Sequence, residues 1–338
     1  MNGLSLQDLS DKLNNSLSKQ ALNRLEIGEL KPDSEILGQL CKALNVSLDY
    51  FFKETAPVLN KIGFRKLKKL LVKDQEKVKS CTVEYLERYI ELENLLGLDE
   101  AAPFKFQSYP INEPADVEKA AKEMRQILNI GSDPIYNCIE LLEEKNLKVY
   151  RTHADPAFSG MSTIIGDVIG VIVYNDHEDI PLVRKRFTVL HELGHLFMDL
   201  SKFDEKQGER LCDSFAGSML LPGEKLKEYF GGKRTTVYTR ELLLIKQYYG
   251  ISLTAIMYRA KALNLISDSY LKYFMIRYNQ NLKSSEKMGY DGREESNRFI
   301  QLLIRAVAQE IISTTKAAAL NNQTLGDFRS QYLDAGVQ

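Results

Sequence analysis

The run Arg186-Phe187-Thr188-Val189-Leu190-His191-Glu192-Leu193-Gly194-His195-Leu196-Phe197 decides how this chain is read. As a helix it sets His191 and His195 one turn apart on one face. Two imidazoles at that spacing can grip one zinc ion, and Glu192 beside them can take a proton from the water that such an ion activates. The bland reading is two core histidines and a surface glutamate on an ordinary amphipathic helix. With only four His in 338 residues, a chance match to this spacing is uncommon, and the metal reading is preferred.

A zinc site needs a third protein ligand. Downstream, Glu209-Arg210-Leu211-Cys212-Asp213-Ser214-Phe215-Ala216-Gly217-Ser218-Met219-Leu220 has apolar positions at helical spacing, and Pro222-Gly223 ends the run. Glu209 and Asp213 then share a face. The first is the candidate third ligand. The second can accept a hydrogen bond from the free nitrogen of a ligand histidine and so fix its tautomer. Glu205 competes with Glu209 for the ligand role, and a solvated acidic face is the alternative to both. Cys212, one position off that face, is expected to pack in the core.

Taken together, Arg184-x-Arg186-Phe187-Thr188-x-x-His191-Glu192-x-Gly194-His195, then Glu209-x-x-Cys212-Asp213-x-Phe215-Ala216 and Leu220-Leu221-Pro222, resemble the ImmA/IrrE family of zinc metallopeptidases. Those are intracellular bacterial endopeptidases that cut helix-turn-helix repressors. The resemblance runs from about Asp116 to Ile266 and departs from the family at Cys212, where alanine is usual. It implies that His191, His195 and Glu209 bind zinc, that Glu192 is the general base, and that the substrate is a protein of the repressor class.

Composition fits this reading. A formal charge of −1 over the whole chain argues against a wholly basic nucleic-acid binder. No stretch has the form of a secretory leader or a membrane span. Cys41, Cys81, Cys138 and Cys212 are scattered without a CxxC pair, which suggests reduced thiols in a soluble cytoplasmic protein rather than a disulfide framework.

Residues 4–52 read as short helices joined by polar turns, the helix-turn-helix habit. Arg24-Leu25-Glu26-x-Gly28 and Ala43-Leu44-Asn45-Val46-Ser47-Leu48-Asp49 make the segment similar to the Cro/CI-type (Xre) DNA-binding domain. Domains of that type place a further helix ahead of Leu4-Ser5-Leu6-Gln7. The resemblance implies a recognition helix over Ser18–Ile27, with Lys19, Gln20, Asn23 and Arg24 facing the major groove of double-stranded DNA, where amide and guanidinium groups read base edges. Over residues 1–54, however, acidic side chains outnumber basic ones, so a protein-contact module is the alternative.

Lys61, Arg65, Lys66, Lys68, Lys69, Lys73, Lys77 and Lys79 then make 55–79 strongly basic. Such a run can meet phosphates or simply form a solvated face. Val78, Tyr85, Tyr89, Leu92 and Leu96 recur at helical spacing, which predicts a connecting helix over Asp74–Leu98 and offers a homodimer surface. Pro103, Pro110 and Pro114 mark a linker.

Helices are expected at Asp116–Ile130 and Pro134–Lys145, and strands at Leu147–Arg151, Ser159–Ile164 and Ile169–Tyr174. The edge of such a sheet can align a peptide as an added strand. His153 and His177 fall in loops and read as surface histidines. Arg184 and Arg186 either dock the domain or meet acidic substrate groups. Helices follow at Thr239–Tyr249 and Ser252–Asn264. Tyr238, Tyr258 and Arg259 are possible oxyanion donors, none of them assigned. Asn279–Glu295 reads as a polar loop, and Arg298–Gln309 and Thr315–Tyr332 as a helical tail.

The expected architecture is α+β and mostly helical. It comprises a helix-turn-helix over 1–54, a basic segment and connecting helix over 55–114, a zincin-like domain over 115–268, and helices over 269–338. The expected function is a zinc endopeptidase tied to transcriptional regulation, with no membrane association. Two rivals stand beside it: a DNA-binding regulator whose peptidase-like domain only senses zinc or a ligand, and an antitoxin-like protein-binding module.

Overall fold

Helix α7 (Leu182–Phe197) is the element around which the others are laid in this computed structural model. The structure describes residues 4–44, Val46, Leu48, Phe51, 72–98, Phe104, 108–165, 169–282 and 290–333. On one side α7 meets a three-stranded sheet of β2 (Lys148–Thr152), β3 (Gly160–Ile165) and β4 (Ile169–Asn175), in the order β2-β4-β3. β2 pairs parallel with β4, from Lys148↔Val171 to Thr152↔Asn175, and β3 pairs antiparallel with it. The middle strand, rich in Val and Ile, is buried on both faces. Its alternate residues divide accordingly. Ile172 and Tyr174 join the core that holds Val189, Leu190 and Leu193 of α7, whereas Val171 and Val173 join a second core.

That second core is capped by α4 (Val72–Leu95) through Val78 and Leu86. Further along α4, Tyr89 and Leu92 pack with Leu302, Leu303 and Ala306 of a C-terminal helix, Arg298–Ala308. The apolar stripe expected to offer a homodimer surface is therefore spent inside the chain, between the sheet and the tail helices. Tyr89 is fully buried, and Tyr85 rests on Tyr150 of β2 with ring centroids 4.7 Å apart.

On its other side α7 meets α8 (Glu205–Leu220). Gly194 sets how near the two helices come: a Cβ there would lie 3.1 Å from Phe215 and 3.5 Å from the Cys212 sulfur. Cys212 is fully buried, as expected. Helix α5 (Asp116–Ile127) lies along α8, and α9 (Gly223–Phe230), α10 (Thr239–Tyr249), α11 (Leu253–Ala262) and α12 (Asp268–Arg277) complete the same core.

The run through Glu209 does end ahead of Pro222-Gly223, with α8 closing at Leu220 as expected, and Pro222 then also serves as the N-terminal cap residue of α9, where its missing N–H costs nothing. Several other expectations are corrected. Of the proline-marked linker, Tyr109–Pro110 forms a short parallel strand (β1) with Met198–Asp199 (β5), while Pro103 lies outside the described residues. The second helix of the domain starts at Cys138, not Pro134, because Asn137 caps it (α6, Cys138–Glu144). The single tail helix expected over Thr315–Tyr332 is broken. Asn322 turns left-handed at φ 57°, and Thr324 caps a new short helix, Leu325–Phe328.

The N-terminal unit has its own small core of Leu13, Leu22 and Leu40, from α1 (Leu6–Lys12), α2 (Lys19–Glu26), α3 (Ser34–Leu44) and the turn after α1. Ser5 and Asp8 form a capping box on α1, and Ser18 caps α2. Most of the basic segment 55–79, including Lys61, Arg65, Lys66, Lys68 and Lys69, lies outside the described residues. No helix among the described residues is long and apolar enough to cross a membrane.

Candidate metal centre

The two imidazoles project from the last turns of α7, half-buried, with their Nε2 atoms 3.2 Å apart. Helix α8, whose start is fixed by a capping box between Asp204 and Gln207, brings a carboxylate to the same point. Glu209 places Oε2 3.2 Å from His191 Nε2 and Oε1 3.2 Å from His195 Nε2. One turn on, Asp213 Oδ1 lies 2.9 Å from His191 Nδ1. A carboxylate at that distance holds the proton on Nδ1 and leaves the Nε2 lone pair directed at the shared point. Glu205, the competing acid, is exposed and does not belong to the converging group His191, His195 and Glu209.

The donor chemistry suits a divalent ion. Lone-pair atoms of two imidazoles and a carboxylate, crowded this closely, repel unless a proton or a cation stands between them. Two nitrogens and one oxygen from the protein, with the cluster still partly open to solvent, is the donor set of a catalytic zinc site.

Glu192, beside His191 on α7, meets the sheet. It is 3% exposed, and its Oε2 accepts a hydrogen bond of 2.8 Å from Ser162 Oγ on β3. The close approach of β3 depends on Gly160. A Cβ there would fall 2.6 Å from Thr188 of α7 and 2.8 Å from the Val173 carbonyl. β3 is also the outer strand of the sheet, so one of its edges has no partner strand among the described residues.

Arg186, which the sequence left between docking and substrate contact, docks. It is fully buried; Nε donates to the Gly250 carbonyl at 3.1 Å and Nη2 to Ile135 at 2.6 Å. Nη1 is paired with Glu294, and the Tyr290 ring covers the guanidinium at 4.9 Å. Glu294 also accepts from the Cys138 amide at 2.8 Å, at the start of α6. Burial holds this carboxyl above its ordinary value, against the pull of Arg186. Tyr290 and Glu294, from the stretch expected to be a polar loop, thus pack into the unit built around α7. Burial likewise pushes the Cys138 thiol far up, which makes it inert.

Arg259 is a second structural clamp rather than a free oxyanion donor. It is 5% exposed, bonds Ser218, and reaches Glu118 at 3.1 Å. Glu118 also accepts from Ser218 Oγ and from the Gly223 amide, so α5, α8, α9 and α11 meet at one carboxylate. Burial raises the Glu118 carboxyl, but Arg259 and these hydrogen bonds bring it below its ordinary value. Tyr238 and Tyr258 are largely exposed, at 66% and 54%.

Ser162, Glu118 and Glu294 were not singled out from sequence. Each is a lone polar residue whose partner lies far along the chain, so no local spacing betrays it.

In the N-terminal unit, Lys19, Gln20, Asn23 and Arg24 are all exposed along α2, on the side away from buried Leu22. Arg24 also pairs with Glu29 at 3.6 Å on the surface.

Residues 136–261 match the IrrE N-terminal-like domain family of peptidases, and residues 1–51 match a helix-turn-helix family. The chain therefore carries an N-terminal helix-turn-helix, a module that fits DNA binding, ahead of a peptidase-like ImmA/IrrE-type domain. Comparison with curated proteins finds no match.

Proposed function

We propose that this protein is a zinc-dependent endopeptidase coupled to transcriptional regulation, and that it cleaves a helix-turn-helix repressor. The observation that carries the reading is the convergence of His191, His195 and Glu209 on one point, next to a buried glutamate whose carboxylate is already oriented. A purely structural metal site would have no need of Glu192.

His191, His195 and Glu209 would hold the zinc, which would supply Lewis acidity toward a peptide carbonyl and lower the pKa of a water toward ~7. Asp213 keeps His191 in the ligand tautomer. Glu192 takes the proton from the attacking water and returns it to the departing amine. Ser162 holds Oε2 of Glu192 in place. The outer edge of β3 receives the substrate backbone as an added strand, which sets the scissile bond against Glu192. Lys19, Gln20, Asn23 and Arg24 tether the protease at an operator, or the same module binds the repressor directly.

A second reading has specific support in the exposed polar face of α2. On that reading the chain is a DNA-binding regulator whose peptidase-like domain senses metal without proteolysis.

One variant separates the two. Glu192→Gln should retain zinc yet lose cleavage of a helix-turn-helix repressor encoded beside this chain. The expected loss is at least the ~10²–10⁴-fold that a positioned base contributes. Undiminished proteolysis by that variant would remove the mechanism. Zinc-modulated operator binding, with no cleavage by the wild-type chain, would favour the sensor.

A further inference from the structure

Two histidines that take no part in the centre on α7 stand together at one end of the sheet. β2 and β4 run parallel and in register up to Thr152↔Asn175, so the turns that follow them emerge side by side. His153 follows β2 and His177 follows β4. Their rings stack with centroids 4.9 Å apart and an interplanar angle of 19°. With Glu178 they bring three donor atoms within 4.8 Å of one another. Among the described residues the one other group with this convergence is His191, His195 and Glu209.

The turns that carry these side chains are tied together from beneath. Asn175 is 1% exposed, and its Oδ1 accepts from the amides of Ala154 and His177 at 3.1 and 3.2 Å. Its Nδ2 donates to the carbonyls of Ala154, Asp155 and Phe158, at 3.1, 2.9 and 2.8 Å. A buried amide satisfied this fully is expensive to displace, so one side chain fixes both histidine-bearing turns. His177 has an acidic companion as well. Its Nδ1 accepts from the Asp179 amide at 3.2 Å and lies 3.7 Å from the Asp179 carboxylate. The Asp179 carboxylate is near enough to take over that nitrogen once it carries a proton, as Asp213 does for His191 at 2.9 Å.

We propose that His153, His177 and Glu178 form a second, solvent-facing site for a divalent transition-metal ion. Two imidazoles and one carboxylate select ions of the zinc, nickel and copper class over magnesium or calcium, which prefer all-oxygen cages. When Nε2 of His177 takes the ion, the ring's single proton moves through solvent from Nε2 to Nδ1, which then faces the Asp179 carboxylate in place of the Asp179 amide. Water completes the shell on the open side. The site draws on strand ends and a buried asparagine, so it stands whether or not the centre on α7 is hydrolytic. Its occupancy tightens the turn over 153–159, which leads straight into β3 and Ser162.

The test is metal stoichiometry in the full-length chain, stripped with a chelator and then dialysed against excess Co2+. The wild-type chain should hold two equivalents. His153→Ala/His177→Ala should hold one, with unchanged circular dichroism. Glu178→Gln, which alters only an exposed side chain, should release the same equivalent at lower chelator concentration than the wild type does. His191→Ala should also hold one, from the other site. A wild-type chain that holds a single equivalent, unchanged in the double histidine variant, would overturn the second site, as would two equivalents in that variant. A His191→Ala chain that keeps both equivalents would overturn the centre on α7 instead.

Discussion

Helix α7 carries polar groups at both its halves, and the two halves treat them in opposite ways. Around Arg186, every charge meets its complement. The guanidinium is ringed by the Gly250 and Ile135 carbonyls, the Glu294 carboxylate and the Tyr290 face, and nothing is left for an outside ligand. Little more than one turn later, His191, His195 and Glu209 bring two ring nitrogens and a carboxylate to one point, and with Asp213 holding the proton on the far side of the His191 ring those atoms can all act as acceptors toward a cation. Both halves are dense in hydrogen-bonding groups. What separates a structural clamp from a binding site is complementarity: donors matched to acceptors close a site, and acceptors matched to acceptors open one to a cation.

The largest effect is expected where the closed half is opened. Arg186→Met leaves Glu294 buried without its partner, which typically costs about 3–5 kcal/mol of stability. Denaturant unfolding should show that loss, while zinc affinity of the folded fraction stays as in wild type. A variant that lost zinc but kept its stability would erase the distinction between the two halves.

The converse change is smaller. Asp213→Asn leaves the ligands in place but removes the charge behind His191, and should weaken zinc binding about 10- to 100-fold. Stability of the metal-free chain should move by no more than about 0.5 kcal/mol, since the residue is exposed. Isothermal titration and unfolding of the same preparation check both halves of that statement.

The smallest effect sharpens the comparison through packing. Gly194→Ala puts a methyl 3.1 Å from Phe215 and 3.4 Å from Met198, which pushes α7 and α8 apart by a few tenths of an ångström. Crowding of this kind costs about 1–3 kcal/mol, of which a helix preference of ~1 kcal/mol for alanine returns part. Stability should fall only slightly. Zinc affinity should fall less than in Asp213→Asn, because Glu209 retreats from both imidazoles together.

These contrasts also explain what was readable from sequence. His191, Glu192 and His195 are legible because their relation is local, a single helical turn. Glu209 and Glu205 both precede Asp213 at helical spacings, so the sequence favoured Glu209 as the ligand but kept Glu205 as a competitor. The choice rests on how α8 crosses α7 at Gly194, Cys212 and Phe215, a tertiary matter. The amphipathic stripe of α4 was visible, but its partner was not, since apolar periodicity says that a face is buried and not by what. Glu294 had no periodicity to reveal it, and its polar neighbours hid its burial. Pro222-Gly223 was legible as the end of α8, but that the same pair also opens α9 was not.

The account turns on an ion resting between α7 and α8. Diffraction from crystals of the zinc-loaded chain, collected on either side of the zinc absorption edge, tests this most directly. The account predicts an anomalous peak within ligand distance of His191 Nε2, His195 Nε2 and a Glu209 carboxylate oxygen, about 2.0–2.2 Å from each. Zinc-loaded crystals with no peak at that point, or with Glu209 turned away from it, would contradict the account.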